Sequence, residues 1–263
     1  MRRTSHTRKA YISRGDDNLT RWVKVPTDGK YKEARGSPAT RSMPADATGT
    51  RYRKRVLPIA KMKGILVSGF LNVKIGRDVR KGKFKGYWIY TLSLEERATC
   101  PRSCEHWQSC YGNNMPFAKR VDHTDPAFLP ALEDELDVLL AKHKVGVLVR
   151  LHALGDFYSV EYLMFWRRML IKHPRLAIFG YTARAFGDPI ARQIPIMWAT
   201  FKWRFMVRFS NGPGDIMSTA TIMDPADRPD NAFVCPEQTE QTRCCATCCA
   251  CWSTTKNVAF LQH

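Results

Sequence analysis

The chain has 263 residues, 44% of them hydrophobic, and carries 42 Lys and Arg against 24 Asp and Glu, a formal charge of +18. That length and apolar content suffice for a core without disulfide staples. No apolar run nears the ~20 residues of a bilayer span and no leader pattern opens the chain, which excludes a membrane-spanning class and leads us to expect a cytoplasmic protein.

The charge is unevenly spread: Met1 to His123 holds 27 Lys and Arg against 10 Asp and Glu, and the remainder 15 against 14. A basic first half attracts polyanions through counterion release, so nucleic acid is the expected partner. Residues 1–63 lack sustained periodicity and are rich in Arg, Gly, Pro, Ser and Thr, which predicts a basic, loosely ordered arm ahead of a core at 64–263. Short β-branched and aromatic runs in "GILVSGFLNVKIG" and "KGYWIYTLSLE" predict strands. "DPAFLPALEDELDVLLAKHK" then reads as a helix with Asp125 as cap and Leu132, Leu136, Leu139 and Leu140 on one face. "VGVLVRLHALGD" reads as a buried strand and "SVEYLMFWRRMLIKHP" as a helix capped by Ser159. "RLAIFGYTAR" and "WRFMVRFSNG" are strands around an imperfect helix, "DPIARQIPIMWATFK"; "TATIMD" and "NVAFLQH" are further strand candidates. This alternation predicts an α/β fold with a parallel sheet, either a partial (β/α) barrel or an open sheet, whose ligands bind at the carboxyl ends of the strands.

Polar groups gather at those predicted ends. Gly155 and Asp156 close "HALGD", Arg184 closes "YTAR", and Arg208 and Ser210 lie in "RFSNG". Gly155 permits close backbone approach, Asp156 suits an ammonium or a ribose hydroxyl, and the arginines suit a carboxylate or phosphate, so all five are candidate cofactor-binding residues.

The nine cysteines fall into two groups. Cys100, Cys104 and Cys110 follow the first predicted strand of the alternation with spacing C-x3-C-x5-C, and Cys235, Cys245, Cys248 and Cys251 belong to a C-terminal element that also contains Cys244 and Cys249. In a reducing compartment clustered thiols hold metal. Three thiolates can bind a 4Fe-4S cluster and leave one iron open; zinc with His106 or His123, or unligated core thiols, are the alternatives. The C-terminal four suit a closed iron–sulfur or zinc centre, with Cys244 and Cys249 left over.

The order of "LSLEERATCPRSCEHWQSCYG", "VRLHALGDFYSVEYLMFW", "GYTAR", "CPEQ", "CATCCACW" and "NVAFLQH" resembles the phage gene 88 product family, which in turn is similar to divergent radical S-adenosylmethionine enzymes. The resemblance implies that Cys100, Cys104 and Cys110 ligate a 4Fe-4S cluster and that Gly155 and Asp156 stand where those enzymes carry a Gly-Gly-Glu element near S-adenosylmethionine. Two departures are visible: the second cysteine gap is five residues instead of two, and the glycine-rich element is reduced to Gly-Asp. The expectation is an iron–sulfur enzyme acting on nucleic acid or a nucleotide-linked substrate, served by an electron donor, in the host cytoplasm if phage-encoded. The competing expectation is a nonenzymatic, metal-stabilised nucleic-acid-binding protein.

Overall fold

A computed structural model of the chain describes residues 41–262, together with two strands ahead of them, β1 (Thr7–Ile12) and β2 (Arg21–Pro26), which pair antiparallel. The centre of the described structure is a five-stranded sheet. Its parallel strands are β5 (Trp88–Ser93), β7 (Val147–Leu154), β8 (Leu176–Thr182) and β9 (Phe205–Phe209), side by side in chain order. The short β4 (Val67–Ser68) runs antiparallel on the β5 edge. Each parallel pairing needs a crossover, and a helix supplies each one: α2 (Phe128–Lys142), α3 (Val160–Lys172) and α4 (Pro189–Phe201). The four-residue α1 (Glu96–Thr99) precedes them.

Side chains alternate between the two faces of a strand, so the packing partners show which face each crossover covers. Leu92, Val149, Ile178 and Val207 pack with Leu136, Trp166 and Ile194 of the three long helices in one apolar cluster. Ile89, Leu148, Phe179 and Met206 point the other way and pack with Ile75, Val79, Phe84 and Trp252. All three long helices therefore lie on a single face. The opposite face is covered by the segment leading into β5 and by the C-terminal cysteine element.

A second, parallel sheet has the order β10 (Thr219–Ile222), β12 (Asn257–Leu261), β11 (Ala232–Val234). A parallel bridge from Phe209 to Ser218 links it to the end of β9. The pair β3 (Val56–Leu57) and β6 (Arg120–Val121) is likewise parallel, and Leu94, just past β5, bridges Val121.

Two expectations change. Of the strands predicted in "GILVSGFLNVKIG", β4 is the one that forms; the rest is a 3-10 turn and loop, because its apolar residues Ile65, Leu66 and Ile75 bury against the sheet without joining its ladder. The predicted arm of residues 1–63 is also divided. Its first 40 residues, β1 and β2 apart, lie outside the described residues, but residues 41–63 are bound to the core: Met43 N donates to Gln108 O at 3.0 Å, Ile59 N to Asp125 Oδ2 at 2.7 Å, and β3 pairs with β6. Among the described residues no helix is long and apolar enough to cross a membrane.

Candidate functional site

β5 ends at Ser93, and the chain turns through α1 directly into Cys100. The loop that follows rests on charges buried beneath it. The Glu96 carboxylate accepts from Arg120 Nε at 2.6 Å, from Arg120 Nη2 at 3.0 Å and from Thr50 Oγ1 at 2.8 Å. Arg97 donates from Nη2 to Asn113 Oδ1 at 2.7 Å and to Trp107 O at 3.0 Å, and Arg120 Nη2 donates to Gly112 O at 3.1 Å. Buried charges persist only where such partners satisfy them, so this network fixes both ends of the cysteine loop. Sequence reasoning missed it. The available signal was "EER" between a buried strand and a cysteine, where charges have no obvious route to solvent.

The three loop thiols are near enough to influence one another electrostatically. Cys100 is held well above the ordinary thiol range by burial, then by the Asp156 carboxylate, then by Cys104 and Cys110. Burial likewise raises Cys104, and pushes Cys110 to about 11. All three keep some contact with solvent. A group of neighbouring thiols that resist ionisation is the donor set a thiophilic cation completes, because the cation supplies the missing charge.

The end of β7 docks against this loop. Gly155 has φ +88°, and a Cβ there would stand 2.7 Å from Thr99 Oγ1 and 2.8 Å from Leu94 Cβ, so no other residue fits without displacing the segment ahead of Cys100. Asp156 N donates to Thr99 Oγ1 at 3.2 Å. The Asp156 carboxylate accepts from the backbone N–H groups of Phe157 and Ala183, each at 2.7 Å. Burial raises it to about 6 against those hydrogen bonds. Arg184 donates to Thr99 O at 2.8 Å and to Phe157 O at 2.9 Å, and pairs with Asp188 at 3.2 Å.

The structure thus brings Gly155, Asp156 and Arg184 together around Thr99, but their polar groups are committed to the protein. A charge this deep needs partners whether or not a ligand is present, and the backbone at the strand ends supplies them. Arg208 lies apart from Arg184. It is wholly buried and donates to Lys256 O at 2.8 Å and to Thr254 O, so it fastens the C-terminal segment to β9. Ser210 is exposed, its N–H donating to Thr182 O at 2.8 Å. The neighbouring Asn211 Nδ2 donates to Glu105 Oε2, which carries the cysteine loop across to the end of β9.

The C-terminal cysteines divide along the lines of their spacing. Cys235, Cys245, Cys248 and Cys251 line one cavity, with Glu237 and Trp252 in its wall. Cys244 and Cys249 turn into the core below it, where Cys249 Sγ donates to Ala246 O at 3.2 Å. Cys235 follows β11; Cys245 begins the short helix α5 (Cys245–Cys248), and Cys251 lies in α6 (Ala250–Ser253). α5 is pinned by Cys245 N donating to Lys74 O at 2.7 Å, an approach that requires glycine at position 76, where φ is +85° and a Cβ would meet Cys244 Sγ at 2.9 Å. Burial raises Cys245, followed by the charges of Cys251 and Cys235, and lifts Cys235 to about 11. Among the described residues no group of three or more His, Cys, Asp or Glu side chains is arranged to hold a single metal ion. The chemistry of both thiol sets nonetheless fits soft, sulfur-binding metals.

Between the two groups, on the face opposite the three long helices, stand Arg150 and Tyr181. The Tyr181 hydroxyl donates to Cys251 Sγ at 3.1 Å. The Arg150 guanidinium lies 4.4 Å from the centre of the Tyr181 ring and influences both Tyr111, next to Cys110, and Cys245. Tyr111 is 48% exposed, yet burial raises its hydroxyl pKa, with Cys110 and Cys100 adding to the rise. Neither Arg150 nor Tyr111 stood out in the sequence.

The part of the chain carrying the cysteine loop and the β7 end has relatives. Residues 68–194 match the gene product 88 family. The matched span is a little under half of the chain and holds β4 through the first turn of α4, including Cys100, Cys104, Cys110, Gly155 and Asp156. No curated protein and no solved structure gives a match.

Proposed function

We propose that this chain is an iron–sulfur enzyme of the radical S-adenosylmethionine type, acting on nucleic acid or a nucleotide-linked substrate. The observation that carries the reading is the position of the first thiol group: three electrostatically coupled, partly solvent-exposed cysteines on the loop that follows the carboxyl end of the first parallel strand. Four parallel strands in chain order with their long helices on one face support the reading as a partial (β/α) barrel, a fold that places its chemistry at that end of the strands.

Cys100, Cys104 and Cys110 would hold a 4Fe-4S cluster with one iron left for an exogenous ligand. When bound, such a cluster supplies an electron to S-adenosylmethionine and so gives access to radical hydrogen abstraction. The chain's own residues orient and enclose. Glu96, Arg97 and Arg120 hold the loop, Gly155, Asp156 and Arg184 seat it on β7 and β8, and Ser210 and Tyr111 offer open groups at the rim. Cys235, Cys245, Cys248 and Cys251 would hold a second centre, iron–sulfur or zinc. An external electron donor is required. The exposed Arg51, Arg53, Lys54, Lys61 and Lys63 belong to the basic half that would attract a polyanionic substrate.

The test is anaerobic purification followed by incubation with a strong reductant and S-adenosylmethionine. We expect bound iron and sulfide, and formation of 5′-deoxyadenosine that is lost in Cys100→Ala, Cys104→Ala and Cys110→Ala. Colourless protein holding zinc at the loop would instead support a metal-stabilised nucleic-acid-binding protein.

A further inference from the structure

Several arginines inside this protein are each held by more than one protein acceptor. Arg120 is bound to Glu96 and three carbonyls, Arg184 to Asp188 and two carbonyls, Arg204 to the carbonyls of Leu170, His173 and Leu176, and Arg208 to those of Thr254 and Lys256. Arg150 differs. It sits in β7 on the face opposite the three long helices, in register with Thr91 and Phe179, and among the described residues its one hydrogen bond runs from Nη1 to Leu151 O at 2.8 Å. Among the described residues no carboxylate pairs with it, and its side chain is half-buried. Its plane is held on aromatic rings, 4.4 Å from Tyr181 and 5.5 Å from Phe179.

A guanidinium anchored at one edge, stacked on aromatic rings and lacking a counter-ion presents its remaining N–H groups as a fixed fork, the geometry that binds a phosphate or carboxylate through paired hydrogen bonds. The walls around it, Tyr111 and Tyr181, suit a planar ring. We propose that Arg150 binds the phosphate of a nucleotide-type ligand lying on the sheet face between the cysteine loop and the C-terminal cysteines. This deepens the functional reading above and takes from it only that the ligand is nucleotide-linked; the anion site itself rests on Arg150.

The experiment is calorimetric titration of the full chain with adenosine 5′-monophosphate, adenosine and S-adenosylhomocysteine, at ~0.3 M salt to screen exposed lysines and arginines. Wild type should bind the monophosphate more tightly than adenosine. Arg150→Gln should lose that phosphate-dependent advantage, weakening monophosphate binding about tenfold or more while leaving adenosine unchanged. Arg150→Lys should recover part of it, and Lys83→Gln, on an exposed turn, none of the loss. The proposal is overturned if wild type binds the monophosphate and adenosine alike, if Arg150→Gln binds the monophosphate as wild type does, or if the variant is impaired toward S-adenosylhomocysteine alone. That last result would assign Arg150 to a cofactor carboxylate. Iron content and 5′-deoxyadenosine formation are separate readouts, so failure of the anion site and failure of the enzyme reading are distinguishable.

Discussion

His152 follows the strand residue Leu151, and its ring turns into the core, where Nε2 meets the Tyr162 hydroxyl at 3.0 Å. Burial, assisted by the Arg150 charge, lowers it from 6.5 to about 3. Between those values the unfolded chain binds a proton that the folded chain refuses, so the stability from the neutral ring is complete above about pH 6.5 and is lost as pH falls toward 3. Acting alone, the ring would shift stability by on the order of 5 kcal/mol across that window. Urea unfolding of His152→Gln should show a flatter acid limb than wild type; parallel limbs would contradict the assignment. Gly155 has a different constraint, positive φ and close contact together. Gly155→Ala should lower stability by more than about 1 kcal/mol in the same assay and expose Cys100 to alkylation, because Thr99 must move.

At the level of elements, the helices and inner strands were legible because period and boundary signals agree. Ser159 accepts from Tyr162 N at 3.1 Å and opens α3 where its sequence places a cap. Asp125 does not cap α2, which begins at Phe128; its carboxylate serves Ala127 N and Ile59 N. Pro195 does not interrupt α4, which runs on to Phe201 through buried contacts of Ile194 and Met197. The spacing separates the four C-terminal cysteines that line one cavity from Cys244 and Cys249, which lie in the core; ligand roles belong to the proposal above. The support beneath the loop was not legible, since a charge in sequence reads as solvated, and only the fold reveals that Glu96, Arg97 and Arg120 share one interior. Arg120→Met should therefore strip the buried Glu96 of its two guanidinium bonds, leaving it Thr50 Oγ1 and a distant Arg97 at 3.9 Å, and cost about 3–5 kcal/mol. Glu96→Gln combined with Arg120→Met should recover part of that loss in denaturant titration.

For the whole molecule, the structure sets two thiol groups near the sheet face opposite the three long helices, linked electrostatically through Arg150, with the basic first half contributing the loop that carries the first. The two groups should separate on mutation. Ser at Cys235, Cys245, Cys248 or Cys251 should reduce total bound metal while the loop centre persists, whereas Cys244→Ser and Cys249→Ser should leave metal content unchanged, measured by elemental analysis of anaerobic protein. Nucleic-acid binding through the basic half should weaken steeply with salt, since released counterions drive it. The proposal to be tested concerns the loop alone, where Cys100, Cys104 and Cys110 would hold a cluster with one iron left open. Electron paramagnetic resonance of the reduced full chain, before and after adding S-adenosylmethionine, tests it most directly. The account predicts an iron–sulfur signal that changes on addition and whose response disappears in Cys104→Ala; a spectrum without iron, or one indifferent to S-adenosylmethionine, would contradict it.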